Sequence, residues 1–218
     1  MSTIRLVCAL VLITMLSTFC AQSRSALADG NSSSGTYSSS TSIANKKFMD
    51  TLHQNVSPGV LQMTAEEVSR LILDLISKIK TAEDFSAKKL ENATGLKVYF
   101  DPVNSKEYGA SVKITDTWFF NITVISGSKD GERSRLLFSF DDQTHGHADM
   151  TPICKVDFAA YTKRLNELGF QKKPVYGEHG RLSTWRFSRN EIVIHVDIRG
   201  ESKEKPHHDC VSMITIDA

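Results

Sequence analysis

No apolar stretch in this chain is long enough to cross a bilayer as a helix: the longest, Leu6 to Phe19, falls short of the roughly 20 residues a membrane span needs. Charge of one sign is also missing. With 26 basic and 25 acidic residues interspersed along the sequence, there is no concentrated basic surface of the kind that binding to nucleic acid phosphates requires. Chemical signatures are absent too. The sequence has no G-x-S-x-G elbow, no phosphate-cradling G-x-x-x-x-G-K-[ST] and no H-E-x-x-H, so nothing marks a nucleophile, a nucleotide site or a catalytic zinc. The expectation is a chain that is not an enzyme and needs no cofactor.

Cysteine is scarce, and its placement is informative. Arg5 precedes the apolar run and Ala26-Leu27-Ala28 supplies small residues at the spacing of a signal-peptidase site, so residues 1–28 read as a cleaved export signal. Cleavage takes Arg5 and Arg24 and no acidic residue, leaving the mature chain near neutrality. Of four cysteines, Cys8 and Cys20 leave with the signal. A lipid anchor on Cys20 is the competing reading, disfavoured because Phe19 stands where a lipobox wants a small residue. Cys154 and Cys210 remain, in a compartment that permits a disulfide, and two cysteines allow one intramolecular bond. Two separate buried thiols would be the alternative.

The stretch between those cysteines has the clearest pattern. Asp157 can cap a helix in which Phe158, Tyr161, Leu165 and Leu168 recur at three- and four-residue steps, with Gly169 at its end. Strands are expected around Lys173 to Glu178 and Leu182 to Ser188, with turns at His179-Gly180 and Arg189-Asn190. Ile192, Ile194, Val196 and Ile198 then alternate with Val193, His195, Asp197 and Arg199, the period of a strand with one buried face. A last strand from Cys210 to Ile216 should close the sheet.

Residues 29–46 are rich in Ser, Gly, Thr and Asn and read as a flexible leader, followed by a short helix around Lys46 to Val56 and a single domain over 47–218. Thr64 and Glu67 have capping-box spacing ahead of Val68, Leu71, Ile72, Leu75, Ile76 and Ile79, which predicts the strongest helix of the chain, with Lys78 and Lys80 at its C-terminal end. Thr81 is placed to cap another helix reaching about Asn92, with Gly95 as its stop. Strands are expected over Leu96 to Phe100, Gly109 to Ile114, Thr117 to Ile125 and Ser134 to Phe140, the last two joined at Lys129-Asp130-Gly131. The fold class is therefore α+β, helices packed on antiparallel meander sheet. Residues 64–140 and 154–218 each read as helix then meander. A duplication and convergence on common helix caps account for this equally well.

Two polar segments flank the cysteines. Asp141 to Asp149 and His207-His208-Asp209 would be drawn together by the disulfide, and His145, His147, Asp149 and His208 carry zinc-compatible groups, although their spacing matches no recognised metal signature and polar loops are the simpler account; the segments expected to bind a partner are Asp141 to Asp149, Glu178 to Arg181 and Arg199 to His208. His195 with Asp197 is a possible catalytic pair that reads more simply as sheet surface. As partner-binding candidates, Tyr176, Arg181 and Arg199 stand out as aromatic and arginine side chains beside turns, with Asp141 and Asp142 as charged neighbours. Asn31, Asn92 and Asn121 begin N-x-[ST] sequons, relevant only to a eukaryotic secretory route.

The export signal, the Ser-rich leader, Thr94-Gly95-Leu96 after a helix, Cys154, the helix ending Leu168-Gly169-Phe170 and a final strand opening at Cys210 together resemble small periplasmic immunity proteins. Members of that group neutralise toxic effectors delivered between competing bacteria. The resemblance implies a periplasmic protein that occludes a secreted effector by tight binding, and it transfers no site residues, since the group has many folds. A periplasmic small-ligand-binding or envelope-assembly protein is the alternative.

Overall fold

The computed structural model describes residues 39–54, 63–127, 132–144 and 148–218, the side chains of 39–46 excepted. The expected export signal, most of the leader and the Lys129-Asp130-Gly131 turn lie outside them.

Helix α1 spans Ser39–Gln54 and so begins inside the stretch read as leader; its apolar residues Phe48 and Leu52 are buried, which the Ser-rich composition ahead of them concealed. Helix α2 (Ala65–Lys78) starts as its sequence dictates. The Thr64 N–H donates to Glu67 Oε2 at 2.7 Å and the Glu67 N–H returns to Thr64 Oγ1 at 3.2 Å, a reciprocal cap. Val68, Ile72, Leu75, Ile76 and the capping Ile79 are buried along one face.

The helix expected from Thr81 to Asn92 is instead two pieces. A short 3-10 helix, Ala82–Phe85, ends at Ser86, and α3 (Ala87–Thr94) starts afresh. The break coincides with a long-range contact. The Phe85 carbonyl, which a continuous helix would direct to Lys89, accepts the Tyr108 hydroxyl at 2.9 Å instead, fixing Phe85 in the core. Gly95 ends α3 at φ 70°, a left-handed conformation that glycine adopts without strain.

Eight strands form one antiparallel sheet: β1 (Tyr99–Phe100), β2 (Glu107–Lys113), β3 (Trp118–Ile125), β4 (Arg135–Asp142), β5 (Gln171–Tyr176), β6 (Leu182–Arg189), β7 (Ile192–Gly200) and β8 (Asp209–Asp217), in the order β1-β2-β3-β4-β8-β7-β6-β5. Helix α4 (Phe158–Glu167), capped by Asp157 accepting the Ala160 N–H at 2.8 Å, links the two meanders. The first strand is shorter than expected because side chains take its leading backbone donors: Leu96 N–H donates to Thr94 Oγ1 and Val98 N–H to Glu91 Oε1. The last strand does not close the sheet as an edge. It lies in the middle, where Leu136 pairs with Ile216 and Phe138 with Ile214 on one side and Val196 with Ile214 on the other, joining both meanders into one sheet. Arg135 and Asp217 bridge that junction at 2.8 Å.

The two faces differ in what covers them. Trp118, Phe120, Ile122 and Val124 of β3, Phe138 of β4, Ile194 and Val196 of β7 and Ile214 of β8 join the buried residues of α2, α3 and α4 in one core. On the opposite face, α1 lies over β3: His53 stacks on Phe119 with ring centroids 4.2 Å apart and hydrogen-bonds Asn121, while Met49 meets Thr123.

Candidate functional site

Strand polarity brings four connections to one end of the sheet: the β2–β3 turn, the segment after β4, the β5–β6 connection and the β7–β8 loop. The expected polar segments are among them. Cys154 and Cys210 are joined by a disulfide with their Cα atoms 5.4 Å apart, tying the segment after β4 to the start of β8. Around it the backbone is well satisfied. Met150 N–H donates to the Glu201 carbonyl at 2.8 Å, Glu201 N–H to the His208 carbonyl at 2.9 Å and Cys154 N–H to the Met150 carbonyl at 2.8 Å, while Met150 and Ile153 plug the core beneath.

Arg199 binds this end together. Its guanidinium donates to the Ala148 carbonyl at 2.6 Å, pairs with Asp142 at 3.5 Å and lies 5.3 Å from the centre of the Trp118 ring, whose N–H donates to the Asp149 carbonyl. Beside it opens a cleft of about 470 Å³ lined by Ala148, Asp149, Arg199, Glu201, Lys203 and Pro206 among others.

His208 occupies the centre of an acidic clasp. Its Nδ1 is 2.7 Å from Glu201 Oε2 and its Nε2 3.3 Å from Asp157 Oδ2, and these two carboxylates raise its pKa above the ordinary histidine value. Burial opposes ionisation of Glu201, but hydrogen bonds from His208, Thr151 and Lys205 outweigh it and hold that carboxyl below its usual range. Asp149 is likewise held down by its side-chain and backbone hydrogen bonds from Thr151.

These placements revise several expectations. Asp141 and Asp142, read as loop residues, are the last two residues of β4. Asp141 sits under α1, where burial raises its pKa even though Ser139, His53 and Asn121 favour the charged form; Asn121 donates to it at 2.6 Å. The Asp142 side chain is 2% exposed against Arg199. Neither offers an open acidic surface, because the strand runs further than its apolar residues indicated. Of the zinc-compatible candidates, His145 and His147 lie outside the described residues, Asp149 accepts hydrogen bonds from Thr151, and the His208 ring nitrogens face Glu201 and Asp157. His195 stands between Arg186 of β6 and Thr215 of β8 on the half-buried face, with Asp197 beside Met213. Asn121 is buried and no acceptor surface in the folded chain; Asn92 is exposed on α3.

Tyr176 and Arg181 lie at the β5–β6 connection and are exposed. The turn there is tight: His179 and Gly180 both take positive φ, and Gly177 N–H donates to the Arg181 carbonyl at 2.8 Å. Sequence reasoning missed Leu182. It pairs with Tyr176 across the strands, and the two are 41% and 62% exposed, an apolar pair at the sheet edge that only the register reveals. Also missed was the His53, Asn121 and Asp141 network, whose members are too far apart in sequence for any spacing rule to connect.

No protein family, no curated protein and no solved structure matches this chain.

Proposed function

We propose that this is an exported binding protein that inhibits a secreted protein effector, in the manner of a periplasmic immunity protein, through the loop end of its sheet. The observation that carries the reading is the pairing of a rigid end with an exposed anchor. Four connections lie at one end of the sheet, two of them fastened by the disulfide and by Arg199, while Tyr176, Leu182 and Arg181 remain exposed beside them. Loops on a fixed scaffold lose little freedom on binding, and aromatic and arginine side chains supply most interface energy.

The test is a deletion strain grown beside siblings that deliver the effector. It should be sensitive, and an export-competent copy should rescue it where a copy lacking residues 1–28 does not. Against a captured effector, Tyr176→Ala should cost about 2 kcal/mol, roughly thirtyfold in Kd, while Lys203→Ala should change little.

A second reading has its own observation. The cleft beside Arg199 is of a size that holds small ligands. If the deletion strain tolerates its siblings and the protein captures only a small molecule, displaced by Arg199→Ala and not by Tyr176→Ala, ligand binding replaces effector binding.

A further inference from the structure

We infer that the Cys154–Cys210 disulfide occupies the place of a zinc site that forms when the bond is reduced, with Cys154, Cys210 and His208 as ligands. The inference is independent of the binding reading above. It begins with distance: the two sulfurs and a ring nitrogen of His208 all lie within 4.8 Å of one another. Tetrahedral zinc, with about 2.3 Å to sulfur and 2.0–2.1 Å to nitrogen, holds its ligand atoms roughly 3.5 to 3.8 Å apart. Zinc therefore needs the two sulfurs further apart than a disulfide holds them, a separation that breaking the bond and rotating the side chains would supply.

The second observation is the shell around the histidine. Metal-bound histidines donate their other ring N–H to a carboxylate, which fixes tautomer and orientation. Here Glu201, with a side chain only 6% exposed, already holds Nδ1 at 2.7 Å, and zinc on Nε2 would replace the contact of that nitrogen with Asp157. The Asp157 carboxylate at 3.3 Å from Nε2 adds negative charge that favours a dication over two thiols. Backbone bonds fix all three ligands: Cys210 pairs with Arg199 and bridges to Asp157, the Cys154 N–H is held by Met150, and His208 is clamped between Lys205 and Glu201. The His208 side chain is 43% exposed, so a metal can enter and water can fill the fourth position. Two thiolates and an imidazole suit zinc over calcium or magnesium, which prefer oxygen.

The redox step balances. A trialkylphosphine attacks one sulfur, the sulfur–sulfur bond breaks, and water supplies the oxygen of the phosphine oxide and the protons of two thiols. Zinc then displaces both thiol protons. The disulfide and the metal exclude one another, so the oxidised chain binds none here.

The experiment uses the purified full chain, freed of metal, with and without a water-soluble phosphine under anaerobic conditions. Zinc uptake is measured by competition with a chromophoric chelator, and cobalt uptake by its absorption spectrum. The reduced chain should take up one zinc per chain and show thiolate-to-cobalt charge transfer; the oxidised chain should do neither. Glu201→Gln should weaken uptake 10- to 100-fold. His208→Ala should weaken it at least tenfold, and His207→Ala should not. Far-ultraviolet circular dichroism is the folding control. Should reduction unfold the chain, zinc must restore the oxidised spectrum. Failure to do so, a reduced chain that stays metal-free, or uptake undiminished in His208→Ala would each overturn the inference.

Discussion

The meanders β1–β4 and β5–β8 share a topology, helix then four antiparallel strands, yet they are held in different ways. The first is packed from both sides. Its inward row of Trp118, Phe120, Ile122 and Val124 meets the α2–α3 side, and of its outward row Asn121 and Thr123 are buried and Phe119 half-buried where α1 lies over them. Among the described residues, the second is packed from one side, by α4. Ile192, Ile194 and Val196 of β7 are buried, while on the other face Val193 is buried and His195 and Asp197 stay half exposed. Its covalent tie at the loop end takes the place of a second layer. The difference teaches that alternation marks which residues share a face but not whether that face is covered: β3 and β7 alternate alike, and only one has both faces closed.

The comparison breaks first at the staple. Replacing Cys154 and Cys210 together by serine should lower unfolding free energy by about 4 kcal/mol, the chain-entropy value for a loop of this length. Urea denaturation monitored by circular dichroism measures it, and a thiol titration of the denatured, unreduced wild type should find neither Cys154 nor Cys210 free. A loss under about 1 kcal/mol would mean that α4 alone suffices for the second meander, since engineered and native staples with little effect are those whose loop is already ordered when unfolded.

How much of this was legible depended on how local its cause was. The α2 cap, the Asp157 cap of α4, the left-handed Gly95 and Gly169 and the β7 alternation all follow from interactions within a few residues, and the structure has each. The disulfide followed from counting. What could not be read came from partners distant in the chain. The Thr81 to Asn92 helix breaks at Phe85, which meets Tyr108 from 23 residues away. The burial of Asn121 depends on α1, far upstream, and the central place of β8 depends on β4. At the candidate site the loops were found and their occupants misjudged, because Asp141 and Asp142 continue a strand whose apolar pattern ends at Phe140.

A smaller effect sharpens the role of the second layer. Leu52 of α1 is 1% exposed, and Leu52→Ala should destabilise the chain by about 3 kcal/mol through lost burial and the cavity left behind. Hydrogen exchange resolves where. Protection should fall in β2 and β3 and hold in β6 and β7. An even loss across all eight strands would show that α1 stabilises the sheet as a unit, and the contrast between the meanders would then be one of geometry only.

The smallest effects should separate the meanders by pH. In the first half, Lys89 and the backbone N–H groups of Lys80 and Thr81 hold the Asp84 carboxyl down to about 2. Its folded value is below its ordinary 3.8, so its contribution is full above that pH and is lost as the pH falls toward 2. In the second half, Glu201 and Asp157 raise His208 above its ordinary 6.5, so its contribution is full below that pH and is lost as the pH rises through the raised value. Asp84→Asn should therefore flatten the acid side of the stability profile, by about 1 kcal/mol if the carboxylate acts as an ordinary helix-cap acceptor. His208→Gln should flatten the neutral-to-alkaline side and also weaken the acid limb, because Glu201 loses a hydrogen bond that helps hold its carboxyl down. Urea midpoints from pH 2 to 9 for the three proteins measure both. If Asp84→Asn shifts the neutral-to-alkaline limb, the Asp84 and His208 clusters are electrostatically coupled. The capping cluster near α3 and the clasp around the disulfide would then have to be treated as one system, despite lying in different halves of the chain.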